Sequence, residues 1–544
     1  MNLKENLKII FKREKNKLIK LTLCKGLTTS LRILNPLIIG VYIDVLITSK
    51  NLNLVYKFIG IFLIISIISL YLNYIISISL SKLRLKLSNN LLIITIEHLN
   101  KCKISHIKTY NSSYLTQRIT QDSNQVIEFL LNNITMFFIQ MFILIIESII
   151  IIKINITFFI LVIVIGVVNL LIYINNKNKL YKEKLRIIEA QNNYFSTIHE
   201  DIDNIYFIKV HAIYKEIKTR VSEKFNTYFD TFNSFVKFQS KYELTQSVPS
   251  GMINLTILLY GGIGIINNKF SIGQFTVLNS YANMILSSVT FFIQFSTIYQ
   301  GFKTAYTRLE EIFEIGLEQN SCEDLDDIKH IKMVDVSLTY SDKLILNNIN
   351  ISFEKGNIYN IVGTNGSGKT SLLNILLNIE QNYNGQIYYN GVDVKKLNCY
   401  KLRKEKISFV EQDTTILNDF LYKNLILLND KNYCTLFDKN LNENLVNLLL
   451  SVKKLESNKF ISKSTLSGGE QKKISILRST LKNSNLIILD EPTNALDKQS
   501  IYYLKNYLND IKSQKIIIIV SHSPTLDDII DYTINLSLLN SKVI

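Results

Sequence analysis

Cysteine is scarce and unpatterned in this chain. Cys24, Cys102, Cys322, Cys399 and Cys434 are scattered, with no C-x-x-C among them, and the six histidines form no cluster. That excludes a disulfide framework and a Cys/His metal centre; the cysteines read as ordinary thiols on the reducing side of a membrane. Charge is also sparse, at 19% of residues against 47% hydrophobic, which is too apolar and too uneven for an ordinary soluble chain. The opening "MNLKENLKIIFKREKNKLIK" is basic and amphipathic but has no small-residue cleavage site, so no cleavable signal peptide is expected. The net charge of +16 invites a nucleic-acid reading. Most of the excess lies beside apolar runs, where basic residues set membrane orientation, so a lipid bilayer is the expected partner and nucleic acid is not. The richness in Ile, Leu, Lys and Asn is a compositional bias without functional content.

The apolar residues crowd into the part before about residue 303. A membrane span needs about 20 mostly apolar residues. Residues 58–80, 154–175, 244–268 and 270–302 carry no charge, 129–152 carry only Glu147, and the weaker 21–48 contain Lys25, Arg32 and Asp44. Six spans are therefore expected. Segments 1–20, 81–128 and 176–243 hold 7, 7 and 12 Lys or Arg, whereas the intervening connections hold only Lys50, Lys57, Lys153 and Lys269. The positive-inside rule puts the N-terminus, both long loops and everything after residue 303 in the cytoplasm. Both long loops keep helical periodicity, so the spans should run on into the cytoplasm and turn near Asn111–Gln121 and Asp203–His211. Arg32, Asp44 and Glu147 are ionisable residues inside spans, which contact cargo or else pair and snorkel within the fold.

After the acidic joint "SCEDLDDIKH" (321–330) the pattern changes to short β-rich runs alternating with helices, an α/β domain. "NIYNIVGTNGSGKTSLLNILL" (357–377) reads as strand, glycine loop and helix and fits G-x-x-x-x-G-K-[ST]. Gly363, Thr364, Asn365, Gly366, Ser367 and Gly368 offer backbone N–H groups to phosphate oxygens, with Ser371 just beyond them. Lys369 reaches the β- and γ-phosphates, and Thr370 ligates Mg²⁺. "LIILDEPTNALD" (486–497) is an apolar strand ending in two acids. Asp490 suits Mg²⁺, and Glu491 can orient and deprotonate an attacking water. "IIIIVSHS" (516–523) is another buried strand, with His522 at its end. In "TLSGGEQKKISILRS" (465–479), Ser467 reads as an N-cap, and Gly468 and Gly469 leave a bare helix N-terminus, which is an anion site.

With these motifs in this order, the whole chain resembles an ATP-binding-cassette exporter half-transporter. The resemblance implies a six-span α-helical transmembrane domain followed by an α/β P-loop ATPase domain: 1–313 the membrane domain, 314–330 a linker, 331–544 the nucleotide-binding domain. It makes Leu466–Gly469 with Glu470 the signature and puts Asp497 in the D-loop. It makes His522 the switch histidine, Gln412 of "ISFVEQD" the glutamine that touches Mg²⁺ and senses the membrane domain, and Tyr340 of "VSLTY" the ring that stacks on adenine. It also implies that two cassettes close head to tail, the Ser-Gly-Gly helix of one facing the γ-phosphate held by the other, which would make a dimer obligatory for hydrolysis. "SYLTQRITQD" (113–122) and "HEDIDNIYFIKV" (199–210) resemble the coupling regions, with Ser113 and Asn204 where glycine is common. Asn494 stands where serine is common. Glu491 and His522 are both present, so two competent sites in a homodimer are expected, with pairing to a different half-transporter left open.

ATP-driven export is the function this implies; a channel or regulator on the same frame is the rival, and would bind ATP without substrate-stimulated hydrolysis. The segment before the first span leaves no room for a leader-cleaving protease, so this chain is not expected to trim its cargo. Asn73, Gln140, Asn169, Asn254, Asn279, Asn283 and Gln294 put uncharged amides in the spans. They suit a peptide of bacteriocin or lantibiotic type, or an amphipathic drug; a lipid is the third possibility.

Overall fold

The computed structural model describes residues 2–49, 51–107, 110, 115–116, 118–267, 269–340, 343–427, 459–482 and 484–540. Asn111 and Ser113 of the expected first-loop tip, and Cys434, lie outside these. The chain divides into two compact units: residues 1–98 with 112–314, and residues 99–111 with 315–544.

The first unit is helical. Among the described residues six helices are long and apolar enough to cross a membrane: Lys15–Thr48, Leu52–Leu99, Arg118–Ile154, Ile156–Asp203, Tyr214–Ile266 and Ile272–Glu314. The second is 48 residues long, hence about 72 Å at 1.5 Å per residue, more than twice what a bilayer core needs. The surplus is the cytoplasmic extension that the helical periodicity of the loops predicts. Asn155 ends one span and caps the next, its side chain accepting from the Phe158 N–H at 3.0 Å. The second long loop breaks at Asn204, continues as the short helix Ile205–His211, and turns at Ala212 with φ of 53°. On the first long loop the chain re-enters through the π-helical turn Arg118–Asp122. This turn is cross-braced to the last span: Arg308 pairs with Asp122 at 2.6 Å, and Arg118 with Glu311.

The last span is the hub, packing against the first, third and fourth and burying Val277, Leu278, Tyr281, Ala282 and Ile285. The second span instead exposes Ile59, Ile61, Leu63, Ile64 and Ile67. Such a surface is unsustainable in water and ordinary in lipid. First and last spans touch through small residues, since a Cβ on Gly273 would overlap the Gly40 carbonyl oxygen. Glu147 is fully buried on the third span's inner face beside Ile143 and Ile151, so it does not reach water in this structure.

Asp44 has a structural task. Its carboxylate accepts from the Ser271 hydroxyl at 2.5 Å and the Gly273 N–H at 2.8 Å, capping the last span from the first. Ser271 still caps the Gln274 N–H at 3.0 Å without it, so Asp44→Ala strips the acceptor from the Gly273 N–H and the Ser271 hydroxyl and should cost about 1 kcal/mol. Detergent-purified protein will then melt at lower temperature, with ATP hydrolysis per folded molecule unchanged. A transport defect at unaltered stability would instead assign Asp44 to cargo.

The second unit holds two main sheets. Four strands order as Lys343–Glu354, His330–Tyr340, Asn384–Tyr389 and Val392–Asp393, all antiparallel. Five parallel strands order as Tyr532–Asn535, Ile358–Val362, Ile516–Val520, Leu486–Asp490 and Ile407–Val410. Every residue of Leu486–Asp490 and Ile516–Val520 is buried, the signature of a parallel sheet covered on both faces. The segment 99–111 joins this unit through backbone bonds, the Lys103 N–H to the Gly316 oxygen and the Glu318 N–H to the Lys101 oxygen. Burial there pushes the Cys102 thiol up to about 11, so it stays protonated and unreactive.

Candidate functional site

The carboxyl ends of the central parallel strands carry the chemistry, as open α/β sheets require of their ligand sites. Ile358–Val362 feeds the loop 363–368, which opens the helix Lys369–Leu376. Gly366 and Gly368 hold φ of 82° and 94°, a left-handed region that glycine enters without steric cost. Added bulk on Gly368 would also meet Leu346 and Ile345. Thr364, Asn365, Gly366 and Thr370 are exposed at the rim, with Gly363, Ser367 and Ser371 partly covered. Lys369 folds back over the loop, its ammonium donating to the carbonyls of Gly363 (2.6 Å) and Thr364 (3.1 Å). A cation held across exposed loop backbone at a helix N-terminus forms a cradle for an anion.

Leu486–Asp490 delivers two acids. Asp490 is buried, and burial pushes its carboxyl up, helped by the charge on Glu491 and opposed by Lys472 and Lys369. The strands leading to the phosphate loop and to Asp490 both flank Ile516–Val520 in the parallel sheet, so the loop and the acidic strand end lie at the same edge. Glu491 has φ of 47°, rare for a residue with a side chain and costing about 1–3 kcal/mol, a strain that collects at functional sites. Its N–H donates to the Val520 oxygen at 2.8 Å. Its carboxylate accepts from the Gln412 amide at 3.2 Å and also from the Asn494 amide. Gln412 and Glu491 are thus brought together as their motifs suggest. The bond from Asn494 gives the departure from serine a physical content, because a serine hydroxyl has a shorter reach.

His522 follows the strand Ile516–Val520, exposed, lining a cavity of about 370 Å³ with Asn360, Ser521 and Ser523. Among the described residues no hydrogen bond joins it to Glu491. Tyr340 ends its strand with a partly open ring, its hydroxyl donating to Glu380 at 2.7 Å. Burial, and the bond to Glu380, raise the phenol and keep it neutral.

The helix Gly468–Leu481 starts as its sequence predicts, with Ser467 accepting from the Glu470 N–H at 3.3 Å. Glu470 closes the box by accepting from the Ser467 N–H at 2.8 Å, and that bond first of all lowers its carboxyl. The two glycines differ. A Cβ on Gly469 would come within 2.7 Å of the Ala495 oxygen, whereas one on Gly468 would meet nothing nearer than Ala495 at 3.8 Å. The first helical residue is therefore open to a ligand. Asp497 caps the next helix through the Ser500 N–H (2.8 Å) and pairs with Lys473 (2.8 Å). Led by that lysine, these bonds hold its carboxyl down at about 2. Among the described residues, Ser467, Gly468 and Gly469 make no hydrogen bond with residues 363–370. Three contacts lay beyond the motif reading: Asn494 on Glu491, Glu380 under Tyr340, and Lys472 beneath the acidic strand.

Comparison with known proteins agrees with this geometry. Residues 18–289 match the family of the ABC transporter transmembrane region, and residues 346–494 match the ABC transporter family. The lactococcin-A transport/processing ATP-binding protein LcnC of Lactococcus lactis is 24% identical over 94% of this chain and 72% of its own length. The microcin-J25 export ATP-binding/permease protein McjD of Escherichia coli is 23% identical over 77% of this chain and 73% of its own. The solved structure of a bacterial Atm1-family ABC exporter with ATP bound shares the fold with a TM-score of 0.83, at 15% identity, over 97% of this chain and 95% of that one. The chain belongs to the ABC transporter family, a multi-pass membrane protein whose fused cytoplasmic domain binds and hydrolyses ATP to drive transport across the membrane.

Proposed function

We propose that two copies of this chain form an exporter whose cargo is a peptide, each copy completing the other's ATP site. The observation that carries the dimer is the open helix end at Ser467–Gly468, where a Cβ on Gly468 would meet nothing nearer than Ala495 at 3.8 Å and the helix N-terminus offers bare N–H groups to an anion. A nucleotide on a second copy is the anion that fits. The peptide reading draws on relatives whose names record lactococcin and microcin, and on uncharged amides in the spans, such as Gln140 bonded to Ser288 at 2.8 Å.

In this reading Tyr340 stacks on adenine and Glu380 fixes its ring. The loop Gly363, Thr364, Asn365, Gly366, Ser367, Gly368, with Ser371, wraps the phosphates, and Lys369 leaves its carbonyls for the β- and γ-phosphate oxygens. Glu491 takes a proton from water as the water oxygen attacks the γ-phosphorus and the bond to ADP breaks. His522 assists at the γ-phosphate. Ser467, Gly468 and Gly469, capped by Glu470, meet the phosphate of the second copy, and Asp497 steadies that helix through Lys473. The Thr370 hydroxyl, Gln412 amide oxygen and Asp490 carboxylate are hard oxygen donors, the set that fits Mg²⁺. When bound, that ion neutralises charge on the phosphate oxygens. We read 1–313 as the membrane domain, 314–330 as the linker and 331–544 as the ATPase.

The test is ATP hydrolysis by the chain alone in proteoliposomes, with and without hydrophobic bacteriocin-type peptides. Basal hydrolysis stimulated by peptide, together with ATP-dependent peptide uptake into inside-out vesicles, is the expected result. Stimulation only by amphipathic drugs or lipids would replace the cargo assignment. A chain silent under every condition would point to a different half-transporter as partner.

A further inference from the structure

Lys472 is 3% exposed on the signature helix, and its ammonium donates to three backbone carbonyls. These are Glu411 at 2.8 Å and Gln412 at 3.4 Å on the glutamine loop, and Asp490 at 3.0 Å at the end of the acidic strand. Three segments distant in sequence thus meet on one buried cation. Burial pulls its ammonium below the usual lysine range, and the carboxylates of Asp490, Glu491, Asp413 and Glu411 oppose that pull. Each tied carbonyl belongs to, or directly precedes, a residue of the site: Gln412 itself, and Asp490 immediately before Glu491. The two are bonded to each other at 3.2 Å above the clamp.

We propose that Lys472 is a positioning residue for ATP hydrolysis: by holding the carbonyls of Glu411, Gln412 and Asp490 it fixes Gln412 and Glu491 in register with the signature helix. It acts through these backbone contacts, its ammonium being committed to three carbonyl oxygens. An apolar side chain of similar length would fill the space and leave the three carbonyls without their donor, so the loop and the strand end would part. Misplacement of reacting groups by about 1 Å costs on the order of 10²-fold in rate. The inference rests on the reading of Glu491 as the base, which the Glu491→Gln control tests separately.

The experiment compares wild type, K472M, K472R and E491Q in proteoliposomes for kcat, KM for ATP, ATP affinity and melting temperature. K472M is expected to lose about 10- to 100-fold in kcat with ATP affinity within about threefold of wild type. K472R, which keeps charge and donors, is expected to recover part of the loss. A K472M protein with wild-type kcat overturns the proposal, as does a loss of ATP affinity matching the loss of kcat. Should K472M fail to fold, K472R decides: its planar fork cannot reproduce the carbonyl distances, so an unchanged kcat overturns the clamp and a reduced kcat at unchanged affinity supports it. An E491Q protein that still hydrolyses ATP sinks the base assignment, whatever K472M does.

Discussion

Glu491→Gln will stop ATP hydrolysis and leave ATP binding intact. A positioned general base is worth about 10²–10⁴ in rate, and a glutamine has no basic oxygen to replace it. The substitution keeps the volume, and its carbonyl oxygen can still accept from Gln412 and Asn494, so the strained turn at φ of 47° has no reason to relax. Phosphate release by the reconstituted variant should therefore fall by about 10²–10⁴ while nucleotide affinity holds. On the proposed dimer, a closed ATP-loaded state should accumulate in this variant. Retention of more than about a tenth of wild-type kcat would remove Glu491 from the role of base, because a tenfold effect is less than a positioned base supplies. A parallel loss of affinity would mean that the carboxylate serves binding.

Much of this was legible because the signals are local. Charge-free runs report spans, and lysine asymmetry reports orientation. The strand–glycine–helix pattern at 357–377 carries the phosphate loop without tertiary knowledge. The cap at Ser467 was also legible, and the glutamate three residues on was the unread half of its box. The missed contacts are of another kind. Asp44 meets Ser271 across 227 residues, and Lys472 meets Glu411 across 61. In each, a polar side chain satisfies a group that only tertiary packing brings near, and nothing in flanking sequence records the approach. Asn494 lies between these cases. It is three residues from Glu491, and its bond accompanies a left-handed backbone at Glu491 that the sequence does not announce. Glu147 belongs with the tertiary effects: the alternatives of cargo contact, pairing and snorkelling were all open in the sequence, and only packing of the inner face shows it completely buried.

Two inactive variants mixed together will recover activity. Ser467→Arg puts a bulky cation at the helix end, where Gly468 is open and a phosphate of the second copy must approach. That chain can neither serve its partner nor, as a homodimer, hydrolyse ATP. Glu491→Gln chains are silent for the opposite reason: they present a sound helix end and lack the base. In a mixed dimer one site joins Glu491 of the first chain to the intact Ser467 of the second and is whole; the other site carries both lesions. Random pairing of equal amounts puts half the chains into mixed dimers with one good site of two, so about a quarter of wild-type hydrolysis should return if the sites act independently. Both substitutions on one chain, mixed with neither partner, must stay silent. Recovery near a quarter identifies the anion at the bare helix end as the nucleotide of the second copy. No recovery would mean either that each chain holds a complete site, against the absence of any bond between Ser467–Gly469 and residues 363–370 among the described residues, or that both sites must fire together. Titrating the mixture separates these two, since only obligate coupling makes wild-type chains lose activity when either variant is added.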